Sequence, residues 1–250
     1  MTRGPRAVAA SGYYHVVVRG NGKQVIFEDD EDRVTFLRLL GLSSERAGAK
    51  VLSYCLMSNH VHLLIDDPVK GLSSLMHWLT STYARHFNER WDHVGHVFRS
   101  RFSSIPIESD DQLLNVVRYI HKNPVKAHLA AAADYRWSSY HEFTDGGEIC
   151  HTQDLLDLLG GADGFRSLVD EEEGAPYFPR ITKRVPDDDA ADAAKAALWP
   201  VRANDLKGLS PDVRAQHVRS LRDAGLSIKQ MVRLTGLGRY AIEKDLHDVC

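Results

Sequence analysis

Cysteine is scarce. The 250 residues hold three, Cys55, Cys150 and Cys250, odd in number and too far apart for a disulfide framework or a CxxC zinc pair. A reducing compartment is the expectation. Long apolar runs are missing too: none approaches the roughly 18 residues that span a bilayer, and Ala7-Val8-Ala9-Ala10 is too short for the core of a signal peptide. A soluble, cytoplasmic protein with no membrane partner is therefore expected. Charge of one sign is also lacking, with 31 basic against 34 acidic side chains and a net charge of -3. Internal repeats are absent. What remains, 43% apolar and 26% charged residues, is an ordinary globular composition, long enough for one large domain or two smaller ones.

The near-neutral total hides an uneven distribution. Residues 1–144 hold 17 Lys and Arg against 15 Asp and Glu, residues 145–190 hold 4 against 12, and residues 191–250 hold 10 against 7. An acidic middle separates two mildly basic ends. That pattern suits two nucleic-acid-facing modules joined by a segment that avoids phosphate, and equally a solvated connector between ordinary domains.

Along residues 1–145 period-2 and period-3.6 patterns alternate, the signal of mixed strands and helices. Tyr13 to Arg19 reads as a strand and Asp30 to Ala47 as an amphipathic helix stopped at Gly48. Val51 to Met57 and His60 to Ile65 read as two strands parted by Ser58 and Asn59, followed by a helix from about Leu72 to Arg90, a strand over about Val97 to Ile107, and a third helix. The order predicts an α+β fold: a ferredoxin-like antiparallel sheet with helices on one face. Residues 146–205 read as an acidic helical linker: short helices at Gln153 to Leu159 and Gly164 to Val169, then a connector over residues 170–205 with Glu171 to Glu173 and Asp187 to Asp189. Residues 206–250 read as a small all-α helix-turn-helix module, in which Ser227 to Thr235 and Arg239 to Leu246 flank Gly236-Leu237-Gly238.

Two places carry chemistry. In His60-Val61-His62 the histidines are two apart on a strand, so both rings point to the same face and can share one ion. A pair alone is an incomplete site, and a polar sheet face is the plainer account. On the third helix, Ser109 with Gln112 forms a capping-box start, and Leu113, Leu114, Val117 and Ile120 make the buried stripe. Tyr119 falls outside that stripe, with Asn123 one turn above it on the same side. Pro124 places Asn123 near the helix end with its side chain turned outward. His121 points to the apolar side as a packing histidine.

These features stand within five tracts: His15-Val16-Val17-Val18-Arg19-Gly20, Cys55-Leu56-Met57-Ser58-Asn59-His60-Val61-His62-Leu63, Gly95-His96-Val97-Phe98-Arg99-Ser100-Arg101-Phe102, Tyr119-Ile120-His121-Lys122-Asn123-Pro124-Val125 and Trp137-Ser138-Ser139-Tyr140. In this order they resemble the HUH single-tyrosine transposases, and among them the REP-associated tyrosine transposases, over about residues 12–143. The chain departs from the pattern at Lys126-Ala127-His128 and at Ser103, where relatives carry Arg-Ala-Gly and a lysine.

The resemblance implies that His60 and His62 ligate a divalent metal, Mg²⁺ or Mn²⁺, that Asn123 is the candidate third ligand, and that Tyr119 is the nucleophile. It implies cleavage and strand transfer of single-stranded, hairpin-containing DNA through a 5′-phosphotyrosine. Arg99, Arg101, Arg118, Lys122 and Lys126 are candidate phosphate contacts, and Arg239, Tyr240 and Lys244 candidate contacts of the C-terminal module to duplex DNA. Two other functions fit the same fold: a non-catalytic DNA-binding regulator, and a nickase of the relaxase or replication-initiator type.

Overall fold

The computed structural model describes residues 8–99, 101–171, 177–179, 185, 187 and 189–247. The chain divides into two compact units, Met1–Glu172 and Glu173–Cys250.

The first unit is built on an antiparallel four-stranded sheet of order β2-β3-β1-β4, with β1 Tyr13–Arg19, β2 Lys50–Met57, β3 His60–Asp66 and β4 Ser103–Ile107. Ser58 and Asn59 alone join β2 to β3. β4 is shorter than the pattern predicts. In the preceding stretch Phe98 bridges to Gly20 and Arg99 N donates to the Arg19 carbonyl, and Pro106 suits the edge position because a proline has no N–H for an outer neighbour.

Helix α1, Asp30–Ala47, starts at Asp29, whose carboxylate accepts from the Asp32 amide, and ends at Gly48 in the left-handed region (φ 65°). Asp30, Glu31 and Asp32 occupy its first turn, where the positive end of the helix dipole favours them. Helix α2, Leu72–Trp91, lies beside α1. Both cover one face of the sheet. There Val16, Val18, Leu56, Val61, Leu63 and Ile65 form one core with Phe36, Leu40, Leu75, Leu79 and Tyr83.

Strand alternation sends His15, Val17, His60 and His62 to the opposite face. Helix α3, Asp110–Lys126, lies across that face against β2 and β3. The α+β class and the antiparallel sheet agree with the sequence pattern, and α1 and α2 share a face as expected. α3 adds a layer on the other. The sequence also places Asn123 at a helix end, whereas α3 runs on through Pro124 to Lys126. So near the C-terminus, the ring removes little from the helical hydrogen bonding.

After α3 the chain returns along β2: Leu56 N donates to the Trp137 carbonyl and Ser139 N to the Tyr54 carbonyl. Three short helices follow, α4 Tyr140–Thr144, α5 Gln153–Leu159 and α6 Ala162–Asp170, and α6 packs on α3.

The second unit contains α7 Ala190–Leu198, a 3-10 turn over Ala203–Gly208, α8 Pro211–Asp223, α9 Ile228–Thr235 and α10 Arg239–His247. Ala190, Ala193, Ala194 and Leu198 of α7 share a core with Val218, Leu221, Met231 and Ile242. Thus α5 and α6 fall where the sequence reads short helices, whereas α7, inside the stretch read as a connector, is packed. Acidic residues obscured the pattern, because the small buried stripe of α7 is made mostly of alanine. No helix among the described residues is long and apolar enough to cross a membrane.

Candidate active site

Strand β3 presents His60 and His62 side by side, their ring centroids 4.9 Å apart and nearly perpendicular. The register places Val17 of β1 and Cys55 of β2 opposite His62, and Arg19 and Met57 opposite His60. From α3, the Tyr119 ring meets His62 edge-on at 5.4 Å and His15 at 5.8 Å between centroids. The Lys126 ammonium lies 4.8 Å from the Tyr119 ring centroid, within cation–π range. Residues almost sixty positions apart in sequence therefore meet on one face of the sheet.

The hydrogen bonds of the two β3 histidines differ. His60 Nδ1 is 2.7 Å from Asn59 Oδ1, so it carries the proton and donates, and the lone pair is left at Nε2. His62 Nδ1 is 3.0 Å from His15 Nε2. The other nitrogen of His62, Nε2, is buried and has no hydrogen-bond partner. Burial pushes the imidazolium of His60 down to about 4, aided by the Arg19 charge. His62 lies well below its ordinary value, first through burial and then through the neighbouring His60, His15, Arg19 and Lys126. Both rings are neutral at pH 7, the form that binds a metal.

Asn123 is buried, not turned outward, and its Nδ2 donates to the Tyr119 carbonyl at 2.7 Å. The amide nitrogen is thereby committed, and the oxygen is the atom of the side chain able to ligate. Two neutral imidazoles, one with an unpartnered buried nitrogen, suit a divalent first-row ion. Among the described residues no group of three His, Cys, Asp or Glu is arranged around one ion. A full coordination sphere would therefore draw on the Asn123 amide, water or substrate oxygen.

His121 faces the opposite flank of α3 and is fully buried, as its place on the apolar side predicts. It contacts the Val117 carbonyl through Nδ1 (2.9 Å) and Ser139 Oγ through Nε2 (3.0 Å), and Ser139 Oγ lies 3.0 Å from Ser53 Oγ on β2. Phe143 and Phe165, stacked with centroids 4.3 Å apart, pack against its ring. This is how the Trp137-Ser138-Ser139-Tyr140 tract bears on the site: it fastens the tyrosine helix to the sheet.

The candidate phosphate contacts are distributed unevenly. Arg99 and Arg101 are exposed ahead of β4. Arg118 is buried, donating to Asn115 Oδ1 and Glu171 Oε2, and Lys122 donates to the Glu171 carbonyl. Both side chains have a partner within the unit at Glu171, which a count of basic residues on the helix does not reveal. In the second unit Arg239, Tyr240 and Lys244 are all exposed on α10, and Arg239 pairs with Glu243 at 2.8 Å. His15 was not singled out from the sequence. Alternation puts it on the Val17 face, but only the pairing of β1 with β3 shows that this face also carries His62.

The sheet and its histidine–tyrosine face are of the kind that the resemblance to the HUH single-tyrosine transposases implies. Residues 9–123, somewhat under half of the chain, match the model of the family described as "Transposase IS200 like". That family consists of DNA-processing enzymes. Among solved structures, the chain is similar to a REP-associated tyrosine transposase bound to a REP hairpin, at 17% identity and a TM-score of 0.47, over 58% of this chain and 86% of that one. It is also similar to a protein described as a transposase from Deinococcus radiodurans R1, at 17% identity and a TM-score of 0.35, over 52% and 99% of the two chains. No curated protein matches it.

Proposed function

We propose that the first unit cuts and rejoins single-stranded DNA, with Tyr119 as the nucleophile. One observation carries the reading: the Tyr119 ring packs 5.4 Å from His62, a neutral imidazole whose Nε2 is buried and unpartnered. A nucleophile and a cation ligand are thus neighbours on a face otherwise closed by packing.

The Tyr119 oxygen attacks a DNA phosphorus, the bond to the 3′ oxygen breaks, and that oxygen leaves as a 3′-OH after taking up a proton. A 5′-phosphotyrosine remains. The phosphodiester energy is kept in the new link, so the 3′-OH of another strand can reverse the step and complete transfer without ATP. A free phenol has a pKa of about 10, so Tyr119 must lose its proton to attack well. The Lys126 ammonium lies 4.8 Å from the ring centroid, so the cation packs against the ring of the proposed nucleophile. His60, His62 and Asn123 would hold Mg²⁺ or Mn²⁺, which when bound supplies positive charge that polarises the scissile phosphate.

Arg99 and Arg101 are assigned to substrate phosphates. Arg118 and Lys122 act as anchors that tie α3 to Glu171. The hairpin in the similar REP-associated structure motivates a hairpin-bearing substrate for this chain. Residues 206–250 act as a helix-turn-helix module on duplex DNA through Arg239, Tyr240 and Lys244, and residues 1–145 form the catalytic part. The thiols of Cys55 and Cys150 are unpaired, in keeping with a reducing, cytoplasmic compartment.

The test is direct. The protein is mixed with hairpin-bearing single-stranded DNA and Mn²⁺, and a protein–DNA adduct that survives denaturing electrophoresis is expected. Chelator and Tyr119→Phe each remove it. An adduct that persists in Tyr119→Phe overturns the assignment, and salt-dependent DNA binding without any adduct points to the regulator.

A further inference from the structure

His15 touches both the proposed ligand His62 and the proposed nucleophile Tyr119 without serving as either. It lies on β1 opposite Leu64, one pleat from the Val17–His62 pair, so its ring stacks beside His62, with centroids 5.2 Å apart and 24° between planes. It is completely buried, a place that disfavours a charged ring. Its Nε2 stands 3.0 Å from His62 Nδ1.

Two neutral imidazoles that share one hydrogen bond must divide the roles, one N–H donating and one lone pair accepting. Were His15 the donor, the single ring proton of His62 would sit on Nε2, a buried nitrogen with no acceptor in reach. A ligating lone pair could not then be offered. Were His62 the donor, its Nδ1–H would point at His15 and its Nε2 lone pair would face the site. The second arrangement leaves no buried N–H of His62 unpaired, and orphaned buried N–H groups are rarer in folded proteins than under-used acceptors.

We infer that His15 is a positioning residue: by accepting from His62 Nδ1–H it fixes the tautomer and ring orientation in which Nε2 of His62 can bind a divalent cation. The inference rests on the metal-assisted reading above. His60 is set in the same way by Asn59 Oδ1, so each proposed ligand has its own acceptor behind it, as histidine ligands generally do.

Mn²⁺ titration of the full chain by calorimetry, without DNA, separates the two levels. Wild type binds, and a His60→Ala/His62→Ala chain does not; equal binding by both, or none by wild type, overturns the metal reading whatever His15 does. Given wild-type binding, His15→Phe keeps the volume but removes the acceptor and weakens Mn²⁺ affinity about 10- to 100-fold. His15→Gln places an amide oxygen near the lost Nε2 and recovers affinity to within about threefold of wild type. A folded His15→Phe chain that binds within about twofold of wild type, or a His15→Gln chain as weak as His15→Phe, overturns the positioning role. Long-range ¹⁵N–¹H correlation of the histidine rings in metal-free wild type needs no variant to fold. The expected spectrum shows the Nδ1–H tautomer at His62, and an Nε2–H tautomer overturns the inference.

Discussion

The two units handle buried polarity in opposite ways. In the second, Gln230 bonds Ser227, the Val185 carbonyl and Asp187, and Asp245 takes a two-pronged ion pair from Arg214 at 2.6 and 2.9 Å. The groups proposed to meet DNA stand on its surface, Tyr240 at 81% exposure. In the first unit three imidazoles are buried, and the four buried side-chain nitrogens and oxygens that lack a hydrogen-bond partner among the described residues lie there: Arg33 Nε, His62 Nε2, His86 Nε2 and Ser104 Oγ. An unmet polar atom in a poorly solvated place costs stability, and on the function proposed above the one at His62 is the atom kept for a cation. Exposed charge marks reversible contact.

The sharpest separation of the two units comes from Tyr119→Phe. Loss of the nucleophile lowers covalent adduct formation by at least about 10³-fold, while duplex binding assigned to the second unit stays at the wild-type level. A parallel loss of both would mean that the contrast between a chemical and a binding unit is false.

Acid sharpens the contrast next. Burial holds His121 at about 4, His60 at about 4 and His15 at about 3, against an ordinary 6.5. Between pH 6.5 and 4 the unfolded chain takes up protons on these rings and the folded unit does not, so stability falls as pH falls through that window. His217 and His247 of the second unit are not among the buried residues. In chelator, hydrogen exchange measured by segment is expected to rise in residues 1–171 before it rises in residues 189–247. Simultaneous loss would show that the buried histidines do not set the acid limit of the first unit.

A third change works on the second unit alone. Arg214→Ala leaves Asp245 buried without its partner, at a cost of about 3 kcal/mol. Denaturant unfolding of the second unit should shift by that amount and adduct formation should not. Asp245→Asn, which keeps a hydrogen-bonding amide in place, should cost less.

How far the sequence reaches follows from the kind of signal each feature leaves. The strands and the first three helices were legible because their apolar periods are regular and their stops, Gly48 and the Ser109 cap, are local. His60 and His62 could be read as sharing a face because pleating is a local property. That Tyr119 would meet them rested on resemblance, since no spacing in one chain fixes how α3 crosses the sheet. His15 stayed hidden for the same reason: its role exists only through β1–β3 pairing. Arg118 and Lys122 look like phosphate contacts in sequence, whereas Glu171, some fifty positions on, takes both. The packing of α7 was missed because alanine is small and common, and its burial shows only when Leu206 and Met231 close over it.

The smallest effects belong to the surface of α10, and they ask whether exposed charge there is contact or mere solvation. In a Tyr119→Phe chain, which cannot cleave, duplex binding is followed as a function of salt. Each phosphate neutralised adds close to one to the steepness of log affinity against log salt concentration. Lys244→Ala should therefore reduce that slope by about one. Arg239 begins from a different state, bridged to Glu243 at 2.8 Å with both groups reaching solvent, and an exposed bridge of this sort is worth only about 0–1 kcal/mol. It is easily exchanged for a phosphate, but Glu243 stays nearby and offsets part of the gain, so Arg239→Ala should change the slope less than Lys244→Ala. Tyr240→Ala removes no charge and should weaken binding with the slope unchanged, the mark of stacking or packing against DNA. If all three variants keep the wild-type slope and affinity, α10 is a solvated face and the second unit has a partner other than DNA.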